Sequence, residues 1–470
     1  MVFFNITPYK NVIFLNICLE KMLKIFDIGT MDRYALGSLR KWKGSNNRKP
    51  MVLFGARQVG KTWLMEEFAR TEYQQVVYLN FDDTPDLSDY FKKDLDTKRI
   101  ISALSHLFKL KINPNDTLVI FDEIQECQRA KDSLKYFAEN APEYHIIAAG
   151  SFLGVTSGKF PVGKVDRLTL YPMSFYEFLE AIGREKLVET IKESDRVLLE
   201  TLSPLLLDLL RIYFYVGGMP SALAEYVKTQ DLGEVRRIQN NILSDYKNDF
   251  SRHIKATDIP KVRMLWDSIQ VHLAREKKKF MYKDIKTGGR ASEFENALDW
   301  LINTGLVYKI TRILEPQIPL SRNEEREVFK LYMLDVGLLC AKTGVDMASF
   351  YTESPKIFSD FKGALTEQYV CQELISTHQH SLFYWGRDKG MAEVDFIMQY
   401  KDEIIPIEVK SAYNKRSLSL DVYLDLVKPK IAVKTSMRNF GVSGNGCTGN
   451  LFSIPLYMIG SLSDIVDRKF

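Results

Sequence analysis

The sequence predicts an α/β protein that begins with a parallel sheet and continues into further domains. Short apolar runs alternate with helix-like segments early in the chain, and a glycine-rich segment at 55–62 lies between one such run and a helix. A second apolar run ends in two acids at 122–123. Alternating strands and helices are typical of a parallel sheet covered by helices. The 470 residues are too many for one core, so several domains are expected.

The glycine-rich segment has the pattern G-x-x-x-x-G-K-[ST], which is typical of phosphate-binding loops. Its residues are Gly55, Ala56, Arg57, Gln58, Val59, Gly60, Lys61 and Thr62. A strand at 51–54 leads into it and a helix at 62–72 leads out, which is the context that the motif requires. Glycines let backbone N–H groups surround phosphate oxygens. Lys61 can reach the β- and γ-phosphates and Thr62 can ligate Mg²⁺, so ATP and Mg²⁺ are the predicted cofactors.

The apolar run before Asp122 predicts a strand at 117–121 that is buried on both faces. Ligands bind at the carboxyl ends of such strands, which places Asp122 where it can hold the Mg²⁺ ion. Glu123 can deprotonate the attacking water. We therefore assign catalytic roles to Lys61 and Glu123. By itself, an acid pair after a strand would also fit a helix N-cap.

Further strands are expected at 75–81, 145–149 and 165–170. The strand at 75–81 lies between the two motifs in the chain. With Glu123 beside Asp122, this pattern resembles the P-loop NTPase branch that inserts a strand between the two motif strands. Ser151, after the strand at 145–149, resembles the polar sensor of AAA-type ATPases and is the third predicted catalytic residue; a turn serine is the alternative.

Three segments, 122–125, 167–179 and 215–220, resemble a large group of bacterial and archaeal AAA-type ATPases. In that group a P-loop domain is fused to a C-terminal domain of uncharacterised function. The resemblance covers nearly the whole chain from Met31. It implies an ATPase core at 31–180 and a helical lid at 181–260. Residues 1–30 are expected to be an N-terminal extension, or else the start is misassigned and Met22 or Met31 is the natural one.

Residues 261–345 predict a winged-helix segment. A short helix is expected from Phe280 and an amphipathic helix over 291–304, followed by a β wing from strands at 306–310 and 327–332. Winged helices often bind DNA through the second helix, but they also serve as protein-interaction spacers. Acidic residues on the second helix count against contact with the major groove.

Residues 346–470 predict an α/β restriction-endonuclease-like domain. Two strands, at 393–398 and 404–411, carry Asp395, Glu408 and Lys410 in a spacing that resembles the PD-(D/E)XK nuclease pattern. Residues two apart in a strand project from one face, so the carboxylates of Asp395 and Glu408 can bind Mg²⁺ while Lys410 stabilises developing negative charge or positions water. Glu367, on an upstream helix, resembles the additional acid of such folds. A surface strand with alternating charges is the alternative.

Composition narrows the functional class. The chain is 46% hydrophobic and 26% charged, with a net charge of +4, so it lacks a global basic surface for nucleic acid. Its five cysteines are scattered without a CxxC pair, which favours a reducing cytoplasm and disfavours a zinc site. The sequence has no long uninterrupted apolar run, so a membrane is not an expected partner.

We therefore predict an ATPase that hydrolyses ATP with Mg²⁺ and couples hydrolysis to a nuclease-like domain acting on or binding DNA or RNA. A homo-oligomer is one expected form of the protein. The alternative is an ATP-dependent conformational regulator that binds a protein partner and has no nuclease activity.

Overall fold

The computed structural model describes residues 33–151, 153, 161, 163–275, 279–351, 356–378, 381–388, 391–411, 417–445 and 448–468. The expected N-terminal extension at 1–30 lies outside these ranges. The chain divides into two compact units, the first ending at Tyr171 and the second beginning at Pro172. In the parts of the chain described, no helix is long and apolar enough to cross a membrane.

The first unit is a parallel sheet with helices between its strands, as the alternation predicts. The strands are β1 (Met51–Phe54), β2 (Gln75–Asn80), β3 (Thr117–Asp122), β4 (His145–Ala149) and β5 (Asp166–Thr169). The helices are α1 (Tyr34–Lys43), α2 (Lys61–Glu72), α3 (Asp89–Lys92), α4 (Thr97–Leu107) and α5 (Gln128–Asn140). The five strands run in the order β2-β3-β4-β1-β5, and every neighbouring pair is parallel.

The strand inserted between the two motif strands is β4. It pairs with β1 on one side and with β3 on the other, whereas β2, the strand between the motifs in the chain, lies at the sheet edge. Every residue of β3 and β4 is buried, because both strands are covered on both faces. Strand order within the sheet thus differs from order along the chain, and the carboxyl ends of β1, β3 and β4 come together.

Local sequence explains where two of these helices begin. The helix α2 follows Gly60, whose φ of 94° is a left-handed conformation that glycine adopts readily. The helix α4 is capped by Asp96, whose carboxylate accepts a hydrogen bond of 2.7 Å from the Arg99 N–H. The core beneath them includes Val77, Phe121 and other aliphatic and aromatic side chains of the sheet.

The second unit begins with helices. These are α6 (Phe175–Ala181), α7 (Glu185–Glu193), α8 (Arg196–Val216), α9 (Pro220–Thr229), α10 (Leu232–His253), α11 (Ile259–Leu273) and α12 (Ala291–Asn303). Ser174 and Glu177 form a reciprocal capping box at the start of α6. The helix α6 falls in the predicted ATPase core at 31–180, but it belongs to the second unit, where Phe175 donates a backbone hydrogen bond of 2.8 Å to the Glu373 carboxylate.

The second unit continues into an eight-stranded mixed sheet. Its remaining elements are β6 (Val307–Ile313), β7 (Glu324–Met333), α13 (Val336–Lys342), α14 (Lys356–His378), β8 (Leu382–Gly386), β9 (Glu393–Tyr400), β10 (Glu403–Val409), α15 (Leu418–Val427), β11 (Ile431–Ser436), β12 (Gly441–Asn445), β13 (Thr448–Pro455) and α16 (Leu462–Asp467). The strand order is β12-β13-β11-β10-β9-β8-β6-β7.

The expected winged-helix segment is incorporated into this sheet. Strands β6 and β7 form the expected antiparallel pair, but β6 also pairs in parallel with β8. The expected short helix is a 3-10 turn at Tyr282–Asp284, and α12 lies where the second helix is expected. One sheet therefore spans the expected domain boundary at 345/346, because the free edge of β6 satisfies its backbone groups with a strand from beyond that boundary.

The expected hairpin in the C-terminal part is present. Strands β9 and β10 pair antiparallel, with Ile407 opposite Phe396. A small core of side chains, among them Trp385 and Tyr423, packs between this end of the sheet and α15. The hairpin holds the predicted Asp395 and Glu408 on adjacent strands.

Candidate functional site

The predicted phosphate-binding residues form the loop between β1 and α2. Gly55 has a φ of 134°, and a Cβ atom there would lie 2.2 Å from the carbonyl oxygen of Leu170, so only glycine fits. Gln58 and Gly60 also have left-handed backbone conformations. The side chains of Ala56 and Val59 are buried beneath the loop. These contacts hold the loop in a curved shape.

Arg33 holds this loop in place, a role that its sequence context does not reveal. Its guanidinium donates hydrogen bonds of 2.9 Å to the carbonyl oxygen of Val59 and 2.7 Å to that of Tyr171. Arg33 is only 6% exposed. A charged group bonded to two carbonyls in this way ties the loop to the end of the sheet.

Lys61 lies under the loop. Its ammonium donates hydrogen bonds of 2.9 Å to the Gly55 carbonyl and 2.8 Å to the Ala56 carbonyl. Burial lowers the pKa of Lys61 to about 8, although the carboxylates of Glu123 and Asp122 partly oppose the shift. Because both carboxylates act on the Lys61 ammonium group, the predicted catalytic lysine and the predicted acids lie in one site.

Thr62 and Asp122 meet at the predicted Mg²⁺ position. The Thr62 hydroxyl donates a hydrogen bond of 2.9 Å to Asp122 Oδ2, and the Tyr78 hydroxyl donates one of 2.6 Å to the same oxygen. Asp122 is 3% exposed, and this burial raises its pKa while the Tyr78 hydrogen bond lowers it. A hydroxyl and a carboxylate in contact supply the oxygen ligands that Mg²⁺ prefers, so these residues fit the ion. Tyr78 was not predicted from the sequence.

Glu66 adds a third acidic group to this region. It lies one turn after Thr62 on α2, where burial, with a smaller contribution from Asp122, raises its pKa to about 7. No motif singles out this residue. Only its position on the helix brings it near Asp122.

Glu123 is held by two neighbours. Gln125 Nε2 donates a hydrogen bond of 2.6 Å to Glu123 Oε2, and the Ser151 backbone N–H and hydroxyl lie 3.3 and 3.4 Å from the same carboxylate. Gly150 makes room for this arrangement, since a Cβ atom there would lie 2.1 Å from Gln125 Oε1. The structure thus brings the predicted Ser151 and Glu123 together and adds Gln125, which the sequence places only within the segment 122–125 that resembles AAA-type ATPases.

The C-terminal acids also come together. Lys410 Nζ lies 2.5 Å from Glu408 Oε1, and the Val409 N–H donates a hydrogen bond of 2.8 Å to Asp395 Oδ2. Burial lowers the pKa of Lys410, but Glu408 and Asp395 outweigh it and raise the pKa above its ordinary value. Both carboxylates therefore act on one ammonium group, as expected for residues on the same face of the hairpin.

Glu367 joins this group from α14. It is 6% exposed and accepts a hydrogen bond of 3.2 Å from the Tyr332 hydroxyl. Glu367 also helps to raise the pKa of Glu408, after burial, which is the larger cause. The four predicted residues, Glu367, Asp395, Glu408 and Lys410, thus share one electrostatic environment.

Within the described ranges, no three His, Cys, Asp or Glu side chains are arranged to hold a metal ion. The Glu408 Oε2 atom is buried and accepts no hydrogen bond from any described residue, while Oε1 of the same carboxylate is paired with Lys410. A buried carboxylate oxygen without a donor is costly unless a cation satisfies it.

Lys330 and Tyr332 reach the same group from β7, inside the segment expected to be a winged helix. The Lys330 side chain is fully buried, and its Nζ lies 2.5 Å from Glu393 Oε1. No motif predicts Lys330, because only the pairing of distant strands brings it to the hairpin.

The segment 215–220, one of the three that resemble AAA-type ATPases, has a structural role. Gly217 has a φ of 72°, and a Cβ atom there would lie 2.3 Å from Asp335 Oδ1. The Gly218 N–H donates a hydrogen bond of 2.7 Å to the buried Asp335 carboxylate, whose pKa is raised by burial to about 6. Nearby, burial raises the pKa of Glu373 to about 8. Gly217 thus lets the backbone approach the Asp335 carboxylate, whereas a Cβ atom on Gly218 would instead clash with the carbonyl oxygen of Met173.

Three family models match parts of the chain. Residues 47–179 match an AAA domain, residues 207–349 match a domain of unknown function (DUF8612), and residues 362–457 match a second domain of unknown function (DUF4143). No curated protein matches the chain significantly.

Several solved structures are distantly similar. A Walker-type ATPase of Pyrococcus abyssi is 15% identical with a TM-score of 0.41, over 67% of this chain and 96% of that one. The ORC1 protein of Aeropyrum pernix in complex with DNA is 12% identical with a TM-score of 0.27, over 68% and 93% of the two chains. Drosophila ORC bound to DNA is 13% identical with a TM-score of 0.25, over 69% and 97%. The AAA match covers the loop at 55–62 and the acids at 122–123, and this part of the chain is an AAA-type domain.

Proposed function

We propose that the first unit binds ATP with Mg²⁺ and hydrolyses it. The observation that carries this proposal is the convergence of Lys61, Thr62, Asp122 and Glu123 at the carboxyl ends of β1 and β3. These four side chains come from two distant segments, and their chemistry matches the needs of phosphoryl transfer: positive charge, cation ligands and a base.

Each residue has a distinct role in this proposal. Lys61 leaves the carbonyls of its own loop and donates to phosphate oxygens. Thr62 and Asp122 would hold Mg²⁺, which neutralises phosphate charge when bound. Glu123 accepts a proton from the attacking water, and Gln125 and Ser151 orient its carboxylate.

We further propose that ATP turnover is coupled to the C-terminal group of Glu367, Asp395, Glu408 and Lys410, which would act on or bind DNA or RNA. Support comes from the shared face of the hairpin and from the buried Glu408 oxygen that has no hydrogen-bond donor among the described residues. Assembly into a homo-oligomer belongs to the same proposal. A cytoplasmic location is supported by Cys127, Cys340 and Cys371, which are buried free thiols.

A second function has an observation in its favour. Lys410 is already paired with Glu408, and no group of three metal ligands is assembled within the described residues. Such an arrangement suits an ATP-dependent regulator in which the nuclease-like fold binds a protein partner without cutting nucleic acid.

One experiment separates the two functions. ATP turnover is measured with and without DNA or RNA, and strand cleavage in Mg²⁺ or Mn²⁺ is followed in the same samples. The coupled nuclease predicts cleavage that Asp395→Ala or Glu408→Ala abolishes while ATP turnover continues. Asp402→Ala, on the exposed turn of the same hairpin, is the matched control. Turnover without any cleavage supports the regulator, and absence of turnover in the wild type rejects the proposed ATPase activity.

A further inference from the structure

Arg33 lies at the start of α1, and the packing of that helix fixes its position. The Arg33 carbonyl oxygen accepts a hydrogen bond of 2.9 Å from the Leu36 N–H. Leu36, Leu39 and Trp42, each three residues from the next, form the buried face of α1. Because this face is packed into the first unit, the Arg33 side chain extends from a rigid position.

The Arg33 side chain holds the end of the phosphate-binding loop at a strained point. Its Nη1 donates a hydrogen bond of 2.9 Å to the Val59 carbonyl. Val59 lies between Gln58 and Gly60, whose φ angles of 66° and 94° are both left-handed. This conformation is unfavourable for a residue with a side chain, such as Gln58, so it persists only where neighbouring contacts hold it. The hydrogen bond from Arg33 is one such contact.

The same hydrogen bond sets the direction of the next backbone N–H group. In a planar trans peptide, the C=O and N–H groups point to opposite sides. With the Val59 carbonyl bonded to Arg33, the Gly60 N–H is directed away from Arg33. In loops with this sequence pattern, backbone N–H groups cradle the α- and β-phosphates. Arg33, which lies outside the motif, therefore orients an N–H group of the kind that binds phosphate.

The start of the loop is tied to the same guanidinium group. Arg33 Nη2 donates a hydrogen bond of 2.7 Å to the Tyr171 carbonyl. The preceding residue, Leu170, donates a backbone hydrogen bond of 2.8 Å to the Phe54 carbonyl, and its own carbonyl oxygen packs against Gly55. Both ends of the loop are therefore connected through Arg33 and residues 170–171.

We propose that Arg33 is a positioning residue for phosphate binding. It sets the orientation of the Val59–Gly60 peptide and so determines how tightly the loop holds the phosphates that ATP and ADP share. This inference rests on the proposed binding of ATP by the first unit. The buried guanidinium does not touch the nucleotide; it stays bonded to the two carbonyls and acts through the backbone of the loop.

Arg33→Met removes both hydrogen bonds and should weaken the binding of ATP and ADP by the same factor, on the order of ten-fold. The two nucleotides respond alike because the loop N–H groups hold phosphates that both contain. Arg33→Lys keeps the charge but has a single nitrogen where arginine has a fork of donors. Its affinities should lie between those of Arg33→Met and the wild type.

The measurement is a calorimetric titration of nucleotide-free, full-length protein with ATP or ADP and Mg²⁺, below the melting temperature of each variant. Arg48→Met is the matched control, because the Arg48 guanidinium also joins two carbonyls, those of Lys43 and Pro142, at 3.0 and 3.3 Å. Arg48 precedes β1, whereas the loop follows the other end of that strand. Arg48→Met should leave both nucleotide affinities unchanged, even if its melting temperature falls.

Weaker binding of both nucleotides to Arg33→Met, with wild-type binding to Arg48→Met, supports the proposal. If folded Arg33→Met binds both nucleotides like the wild type, or if Arg48→Met weakens binding equally, Arg33 is only structural and the inference fails. A loss confined to ATP also overturns it, because the phosphates that ADP shares would then be held as before. Should Arg33→Met not fold, Arg33→Lys decides, and unweakened binding there overturns the inference.

Failure of the proposed function gives a different result. If the wild type binds neither nucleotide, or if Lys61→Ala binds ATP like the wild type, the proposed ATP-binding role of the loop itself fails. If the wild type binds ATP, Lys61→Ala does not, and both Arg33 variants bind like the wild type, only the inference on Arg33 fails.

Discussion

The Thr62 hydroxyl donates a hydrogen bond of 2.9 Å to the Asp122 carboxylate, although the two residues are 60 positions apart in the chain. This contact joins the phosphate-binding loop to the acidic strand. It exists because α2 begins at the carboxyl end of β1 and Asp122 ends β3 at the same edge of the sheet. The residues predicted to bind the nucleotide and Mg²⁺ therefore meet at one edge of the sheet.

Replacing Lys61 with alanine should weaken ATP binding at least about ten-fold, because a charged hydrogen bond to phosphate is worth ~1.5–3 kcal/mol. The measurement is a calorimetric or fluorescence titration with ATP and Mg²⁺. Lys98→Ala, which removes an exposed lysine of the same unit, should bind ATP like the wild type. Unchanged affinity in a correctly folded Lys61→Ala would contradict the assignment of the loop.

Glu123→Gln should leave ATP binding intact and lower turnover by on the order of a hundred-fold or more, since a general base is lost while the shape of the side chain is kept. Steady-state phosphate release and a binding titration on the same variant separate the two effects. Glu126→Gln, three residues further and exposed, is the control. Preserved turnover would mean that another group orients the water.

Gln125→Ala should lower the turnover number by on the order of ten-fold with little change in ATP affinity, because Glu123 loses the 2.6 Å hydrogen bond that orients it. Gln128→Ala removes an exposed glutamine of the next helix and should leave turnover unchanged. A purely structural role for Gln125 would instead lower the melting temperature and leave the turnover of the folded fraction as it was.

Glu373 should make stability dependent on pH. Burial raises its pKa to about 8, whereas an unfolded glutamate has a pKa of about 4.3. Between these values the folded state keeps a proton that the unfolded state releases, so the free energy of unfolding falls as pH rises towards 8. The contribution of this group is complete below about pH 4.3 and is lost above about pH 8.

Glu373→Gln cannot ionise and should remove this part of the pH dependence, which amounts to a few kcal/mol. Denaturation by urea at about pH 5 and about pH 8.5 measures it, with the exposed Glu189→Gln as the control. If the free energy of unfolding depends on pH in the same way for Glu373→Gln and the wild type, the Glu373 carboxyl group is ionised or solvated in the folded protein.

Local patterns determined much of the first unit. The segment from Gly55 to Thr62 requires left-handed glycine conformations and a following helix. Residues adjacent in the sequence meet both requirements. The buried strand ending at Asp122 follows in the same way from its continuous apolar run. The hairpin that carries Asp395 and Glu408 is equally local, because strand period and turn lie in one short stretch.

Only the tertiary structure decided which distant groups complete each site. Arg33 and Tyr78 reach the predicted nucleotide site from other elements, and Lys330 reaches the C-terminal group of acids from a strand that the sequence assigns to a different domain. The order of strands in both sheets was likewise decided only by the tertiary structure. The alternation of residues along a strand specifies which of its faces is apolar. Which strands become neighbours depends on burying whole faces of the sheet and on pairing the backbone N–H and C=O groups at every strand edge, and both involve the entire chain.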